Sequence, residues 1–184
     1  MRIKQNETIG IIIDIQKKLF AYIDGKERLL NKTILLLSGL RLFDVPMIVT
    51  YQYKKGLGEI VEGLGEFITG NPEIEKFSFS CMGDDEFVKV LEASGKKTII
   101  VAGIESHICV LQTVLDMIEK GYTVFVVEDC VASRSDKDKM TALERIRHAG
   151  GVVTSCESVL YELCGTAEND KFKSLQKLVK DQNV

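Results

Sequence analysis

The chain of 184 residues is 45% hydrophobic and has a net charge of −3, from 24 basic and 27 acidic residues. That length closes one sizeable core, so a single domain over residues 1–184 is expected. Mixed charge offers no basic field for nucleic acid and no polybasic segment for a membrane surface; the apolar run at 9–13, cut by Asp14, is too short to span a bilayer or serve as a signal core.

In chain order, "TIGIIIDIQ", "VPMIVTYQ", "KKTIIVAGI" and "YTVFVVEDC" are Val/Ile-rich runs without clean polar alternation, the pattern of strands covered on both faces. Helical periodicity runs over residues 27–42, 84–93, 107–120 and 137–149. Gly95, Gly121 and Gly150 fall where left-handed C-caps belong, and Asp84 and Asp136 stand as N-caps. "GGVVTS" reads as a further strand, "ESVLYELCG" as a helix, and "KFKSLQKLVKDQ" as an amphipathic helix that packs on its own sheet or on a neighbour. Alternating strand and helix predicts a three-layer, doubly wound, Rossmann-like α/β fold with a mostly parallel sheet and helices on both faces. The glycine-rich stretch 53–82 breaks this rhythm, and its opening section, 53–70, is a candidate lid.

Five cysteines, Cys81, Cys109, Cys130, Cys156 and Cys164, form no C-x-x-C pair and leave one over in any pairing, which suits a reducing, cytoplasmic compartment. Most free cysteines are small buried hydrophobes, so position has to distinguish a reactive one. Ligands in open α/β sheets bind beyond the carboxyl ends of the strands. Two reactive side chains stand there. Asp14 interrupts an apolar run, where an ionised carboxylate needs a partner, although turn aspartates are also common. Cys109 opens the helix after "TIIVAGI", where free N–H groups and the helix dipole favour thiolate. His107 is two residues away and points elsewhere, and His148 sits late in a helix, so neither a Cys-His dyad nor a histidine-built zinc site is expected. No G-x-G-x-x-G follows a strand, which leaves dinucleotide binding without its phosphate turn.

"IIIDIQ", "EKFSFSC" and "VAGIESHICVLQTVLDMIEKGYTVFVVEDCVASRS" resemble the aspartate, lysine and nucleophile segments of the isochorismatase-like cysteine hydrolases. "VTYQYKKGLGEI" and "CESVLYELCGTAENDKFKSLQKLVK" resemble the small isochorismatase domain-containing subgroup. The resemblance implies a triad of Asp14, Lys76 and Cys109, and a cis peptide between Ile104 and Glu105 that aims the Glu105 N–H, with that of Cys109, as an oxyanion hole. The Glu105 side chain then need not be catalytic. It further implies a small-molecule substrate and a homo-oligomer. Metal-binding members carry aspartate and histidines where "TYQYKKG" stands here, so no metal and no cofactor are expected, and nicotinamide is disfavoured as substrate. Gln16, Phe20, Tyr51, Gln52 and Phe77 are candidates to line a small pocket, or equally to serve packing. Of the remaining cysteines Cys81 is expected nearest the site, with Cys130 and Cys156 at strand ends. The implied chemistry is amide cleavage through a Cys109 thioester; vinyl ether hydrolysis on Asp14 and Lys76, and a silent binding or scaffold role, are the alternatives.

Overall fold

The computed structural model describes residues 2–181. Six strands, β1 (Thr8–Ile13), β2 (Met47–Gln52), β3 (Glu73–Lys76), β4 (Thr98–Ile104), β5 (Thr123–Ala132) and β6 (Val152–Thr154), pair in the order β3-β2-β1-β4-β5-β6, all parallel. Between and after them run α1 (Lys17–Phe20), α2 (Lys26–Leu42), α3 (Lys54–Leu57), α4 (Gly65–Ile68), α5 (Asp85–Ala93), α6 (Leu111–Glu119), α7 (Asp136–His148), α8 (Cys156–Cys164) and α9 (Phe172–Asp181). Among the described residues no helix is long and apolar enough to cross a membrane.

Every residue of β1 is buried, and strand alternation divides the core into two. Ile9, Ile11 and Ile13 join Phe87 and Leu91 of α5, Val114 and Met117 of α6, and Leu143 and Ile146 of α7. Ile12 faces the other layer, with Leu36 and Leu40 of α2, Leu160 of α8 and Leu175 of α9. The C-terminal amphipathic helix therefore packs on its own chain. Gly95, Gly121 and Gly150 have φ of 65°, 82° and 98°, the left-handed geometry that ends a helix.

Four features differ from the sequence reading. β3 lies inside the stretch 53–82 and escapes the pattern search because it has four residues at a sheet edge, with Ile74 and Lys76 inward and two glutamates outward. Residues of the candidate lid are docked: Ile60 bridges Gln16, Val61 N–H bonds Ile15 O at 3.0 Å, and Lys17 N–H bonds Glu59 O at 3.0 Å. Ser135, not Asp136, is the N-cap of α7, and Asp136 sits in its first turn. The expected single helix 107–120 opens instead with a π turn, Ser106–Val110, before α6.

Candidate active site

Asp14 follows β1 directly, in the left-handed region at φ 53°, and its carboxylate is completely buried. The ion is held on both oxygens. Thr50 Oγ1, from β2, donates to Oδ1 at 2.7 Å, and Lys76 Nζ, from the end of β3, donates to Oδ2 at 2.7 Å. Lys76 is itself 0% exposed, and its ammonium also donates to Gln52 Oε1 (3.0 Å), Phe79 O (3.1 Å) and Ser78 O (3.2 Å). A buried ammonium is tolerated only when so surrounded. Burial, the largest single influence, pulls the lysine down, but the Asp14 charge and hydrogen bond together with the nearby Cys81 and Cys109 sulfurs more than offset it, and the net direction is up.

Cys109 sits in the π turn after β4, 4% exposed, within electrostatic reach of both members of the pair. Here the sequence reading is corrected. The position at the head of a helix argued for thiolate, yet burial first, and then the Asp14 charge, push the thiol well up, and Lys76 only partly opposes them. Both influences favour the neutral thiol over the thiolate. Cys81 is a second buried thiol near the pair, pushed up to about 12 by burial, with its N–H donating to Thr113 Oγ1 at 2.9 Å. Cys130 and Cys156, expected at strand ends, are completely buried.

Every peptide bond among the described residues is trans, which corrects the expected cis bond between Ile104 and Glu105. The turn is made instead by Glu105 itself, in the left-handed region at φ 55° and ψ 58°, a conformation that costs a non-glycine residue about 1–2 kcal/mol. Its carboxylate is 6% exposed, with Oε1 2.8 Å from Arg134 Nε and Oε2 3.5 Å from His107 Nδ1. His107 Nδ1 also lies 3.0 Å from Ser133 Oγ, and this contact and the Glu105 carboxylate engage that nitrogen. Arg134 reaches Glu105 because β5 is irregular: Val101 pairs with Val126 but Gly103 pairs with Val131, so the extra residues of β5 hold its end back and set Ala132 level with Ile104, two residues before Arg134.

A cavity of about 610 Å³ opens onto Cys109. Gln52, Glu105 and Arg134 are among its polar walls, and Leu57, Phe79 and Ile108 among its apolar ones. Of the five residues expected to line a pocket, Gln52 alone does so. Gln16 is completely buried and braces the backbone, donating to Gly58 O at 2.7 Å and accepting from Gln52 N–H at 2.8 Å. Tyr51 lies in the core with its hydroxyl donating to Glu73 at 2.6 Å; Phe20 packs against that core. Phe77 is 72% exposed and stands against Tyr53, ring centroids 5.9 Å apart. Strand alternation explains the miss: Lys76 points in, Phe77 out, and the aromatics that reach the cavity are Phe79 and Tyr22. Arg134 was missed although it follows the fifth strand end, where the binding rule for such sheets would have placed it. A second cavity of about 610 Å³, walled by Arg28, Glu128, Asp129 and Lys139, meets none of Asp14, Lys76 and Cys109. Among the described residues no group of three or more His, Cys, Asp or Glu is arranged to hold a metal ion.

The isochorismatase domain family model matches residues 8–158. The secreted isochorismatase effector Isc1 of Phytophthora sojae is 33% identical over 184 residues, covering 98% of this chain and 88% of that protein. Among solved structures, the MAR1 ribonuclease of Caenorhabditis elegans superposes with a TM-score of 0.92 at 34% identity, over 98% of this chain and 93% of that one. The YcaC gene product of Escherichia coli, an octameric hydrolase of unknown specificity, gives a TM-score of 0.93 at 26% identity, over 100% of this chain and 93% of that one. A sheet of this order, an aspartate, lysine and cysteine converging at the ends of three of its strands, and a family match over most of the sequence lead to one conclusion: the chain belongs to the isochorismatase family.

Proposed function

We propose that this chain is a cysteine hydrolase that cleaves a small-molecule amide through a thioester on Cys109. The observation that carries the reading is the completely buried Lys76–Asp14 ion pair, 2.7 Å long, set within electrostatic reach of a thiol that opens onto a cavity. Such a pair has a high desolvation cost, and a site for moving protons is the physical use that suits it. In this mechanism Asp14 takes the Cys109 proton as sulfur bonds to the carbonyl carbon. Here the N–H groups of Glu105 and Cys109 hold the oxyanion, with the left-handed turn at Glu105 doing the aiming that a cis bond was expected to do. On collapse the C–N bond breaks and Asp14 returns the proton to the departing amine. Water, deprotonated by Asp14, then splits the thioester, releasing the acid and restoring the thiol. Lys76 keeps its charge throughout and holds the carboxylate in place.

Because the resting thiol is neutral, proton transfer accompanies attack, and the aspartate is as necessary as the sulfur. A panel of small amides, read by ammonia or amine release and by intact mass for the acyl adduct, tests this. Cys109→Ser and Asp14→Asn should each lower turnover by about a thousand-fold or more, and Cys109→Ala should carry no adduct. Full turnover in either of the first two variants sinks the mechanism.

Vinyl ether hydrolysis is the second reading, favoured by the same neutral thiol, since that chemistry uses Asp14 as acid and Lys76 as electrostatic partner. Cys109→Ala separates the two, removing amide cleavage and sparing vinyl ether cleavage. Loss of neither, with no turnover of any substrate in the intact chain, marks a silent binding member. A net charge of −3 and a cavity of about 610 Å³ support a small molecule over nucleic acid as the ligand. The octameric YcaC relative supports self-association of this chain, which light scattering on the purified protein would test.

A further inference from the structure

Six large hydrophobic side chains stand exposed among the described residues, and four of them, Tyr22, Tyr53, Phe77 and Phe79, gather at the mouth of the Cys109 cavity. Tyr22 and Phe79 belong to its wall. Tyr53 follows the wall residue Gln52, and its ring centroid stands 5.9 Å from that of Phe77, whose carbonyl accepts from Gln52 Nε2 at 2.9 Å. The pattern has a local origin. Over residues 76–80 the alternation of an extended chain buries Lys76 and Ser80 and leaves Phe77 and Phe79 outside.

An aromatic ring buries about 150–250 Å² when it is covered, so these four, exposed by 74%, 46%, 72% and 54%, present about 400–600 Å² of apolar surface in one area. A patch of that size matches the largest found on ordinary monomers, and such patches mark binding surfaces. A standard protein interface takes about 800 Å² from each partner, so the aromatic rim supplies about half or more of one.

The charges beside the rim decide what covers it. Lys17 pairs with Glu62 at 2.6 Å and Lys54 with Glu59 at 2.9 Å, while Glu75 accepts from the Lys54 N–H at 2.7 Å, and Lys18 and Lys55 stand in the same segments. Both signs are interleaved. An anionic membrane or a nucleic acid calls for a rim of cations without acids among them. A two-fold interface instead sets a patch against itself, where a rim of one sign would repel its own copy and a mixed rim lets lysines of one chain meet glutamates of the other.

We infer that a second copy of this chain docks on the aromatic rim about a two-fold axis, and that the rim of each copy roofs the cavity of the other, so that the Cys109 site is closed only in the assembled protein. This rests on the self-association proposed above and names the face that carries it; it is independent of which bond the site cleaves. Closure removes water from the wall that Tyr22 and Phe79 form, which strengthens the influence of Asp14 and Lys76 on anything bound there.

Phe77 carries the test, because its side chain lies outside the cavity wall and is well exposed in the single chain. Phe77→Glu sets a charge against its own copy. In light scattering on the full chain it should at least halve the mass of the assembly, and in dilution series it should raise the dissociation constant about a hundred-fold. The roof has its own readout. The rate at which a polyethylene-glycol maleimide labels Cys109, divided by the rate for iodoacetamide and located by peptide mapping, should rise about ten-fold in Phe77→Glu, since the bulky reagent is the one a roof excludes. Phe77→Ser, which removes the ring without adding charge, should move both readouts in the same direction and carries the test if Phe77→Glu fails to fold. The inference is overturned if the unaltered chain stays monomeric up to millimolar concentration, if the variants keep the full mass, or if they lose mass with no rise in the labelling ratio. Full mass in the variants leaves self-association standing and moves it to another face, whereas a monomeric unaltered chain removes both.

Discussion

Asp14 acts on its two partners in opposite senses. Against burial, its charge helps to raise Lys76; together with burial, the leading cause, it pushes the Cys109 thiol up. Removing that charge while keeping the shape therefore makes a prediction that a purely structural role for Asp14 would not. In Asp14→Asn the ammonium retains its carbonyl acceptors on Ser78, Phe79 and Gln52, so it stays in place. Burial still opposes its pull on the thiol, but the Asp14 charge no longer does, and each unit by which the Cys109 pKa falls raises the thiolate fraction about ten-fold. Iodoacetamide should alkylate Cys109 about ten-fold or more faster in Asp14→Asn than in the unaltered chain at pH 8, although turnover is lost. Peptide mapping of the label gives the site. A slower reaction in the variant would mean that Asp14 activates the thiol at rest, contrary to the burial and charge around it. At this scale the sequence was partly legible: "IIIDIQ" marked Asp14 by its misfit in an apolar run, and the strand-to-turn junction marked Cys109. Lys76 carried no such mark. A lysine in "EIEKFSFS" reads as solvated, and only the burial of alternate residues on an edge strand makes it otherwise.

Between elements, the site depends on how closely β1 and β4 approach at their carboxyl ends. Ile13 pairs with Gly103, and a Cβ at Gly103 would stand 2.6 Å from Ile13 O and 2.7 Å from Ile13 Cβ. Backbone and a packed side chain cannot both yield, so the two strands would be forced away from each other immediately before Asp14 and close to Glu105. Gly103→Ala should cost about 1–3 kcal/mol in denaturant unfolding and lower turnover beyond that, since both catalytic turns move. Unchanged stability together with unchanged turnover would show that the contact is not limiting. The strands and the caps at Gly95, Gly121 and Gly150 were readable because hydrophobic period and left-handed stops are local signals. The π turn at Ser106–Val110, the slack in β5 between Val126 and Val131, and the docking of residues 57–61 onto Ile15 and Lys17 were not. Each is fixed by a contact distant in sequence, and each repositions a wall of the cavity. That is why Gln52 was foreseen and Phe79 and Arg134 were not.

Over the whole molecule, the strand order places the chemistry. From β1 the sheet grows toward β2 and β3 on one side and toward β4, β5 and β6 on the other, so β1 and β4 flank the switch point where open α/β sheets leave a crevice. Asp14 and Cys109 follow those two strands, and Lys76 closes the edge. Concentrating titratable groups in so apolar a crevice has a consequence for the fold itself. Cys81 is pushed up to about 12 by burial, and Cys109 and Cys130 also lie well above an ordinary thiol, burial again being the leading cause. In the unfolded chain these thiols lose their protons near pH 8.5, while the folded chain retains them. Above that pH the folded state binds more protons than the unfolded one, so stability falls as pH rises, by up to about 1.4 kcal/mol per pH unit for each thiol. Lys76, raised in the fold, adds to the same loss once the unfolded lysine deprotonates near pH 10.4. Three thiols together remove about 4 kcal/mol per unit, which takes an ordinary domain stability of about 5–15 kcal/mol toward zero within a few units. Urea unfolding should therefore be insensitive to these thiols between pH 6 and 7.5 and then lose stability steeply from about pH 9. Cys81→Ala should reduce that slope by about a third, whatever cavity it leaves, because the slope counts protons and not packing. A stability that stays level to pH 10 would show that the buried thiols ionise in place.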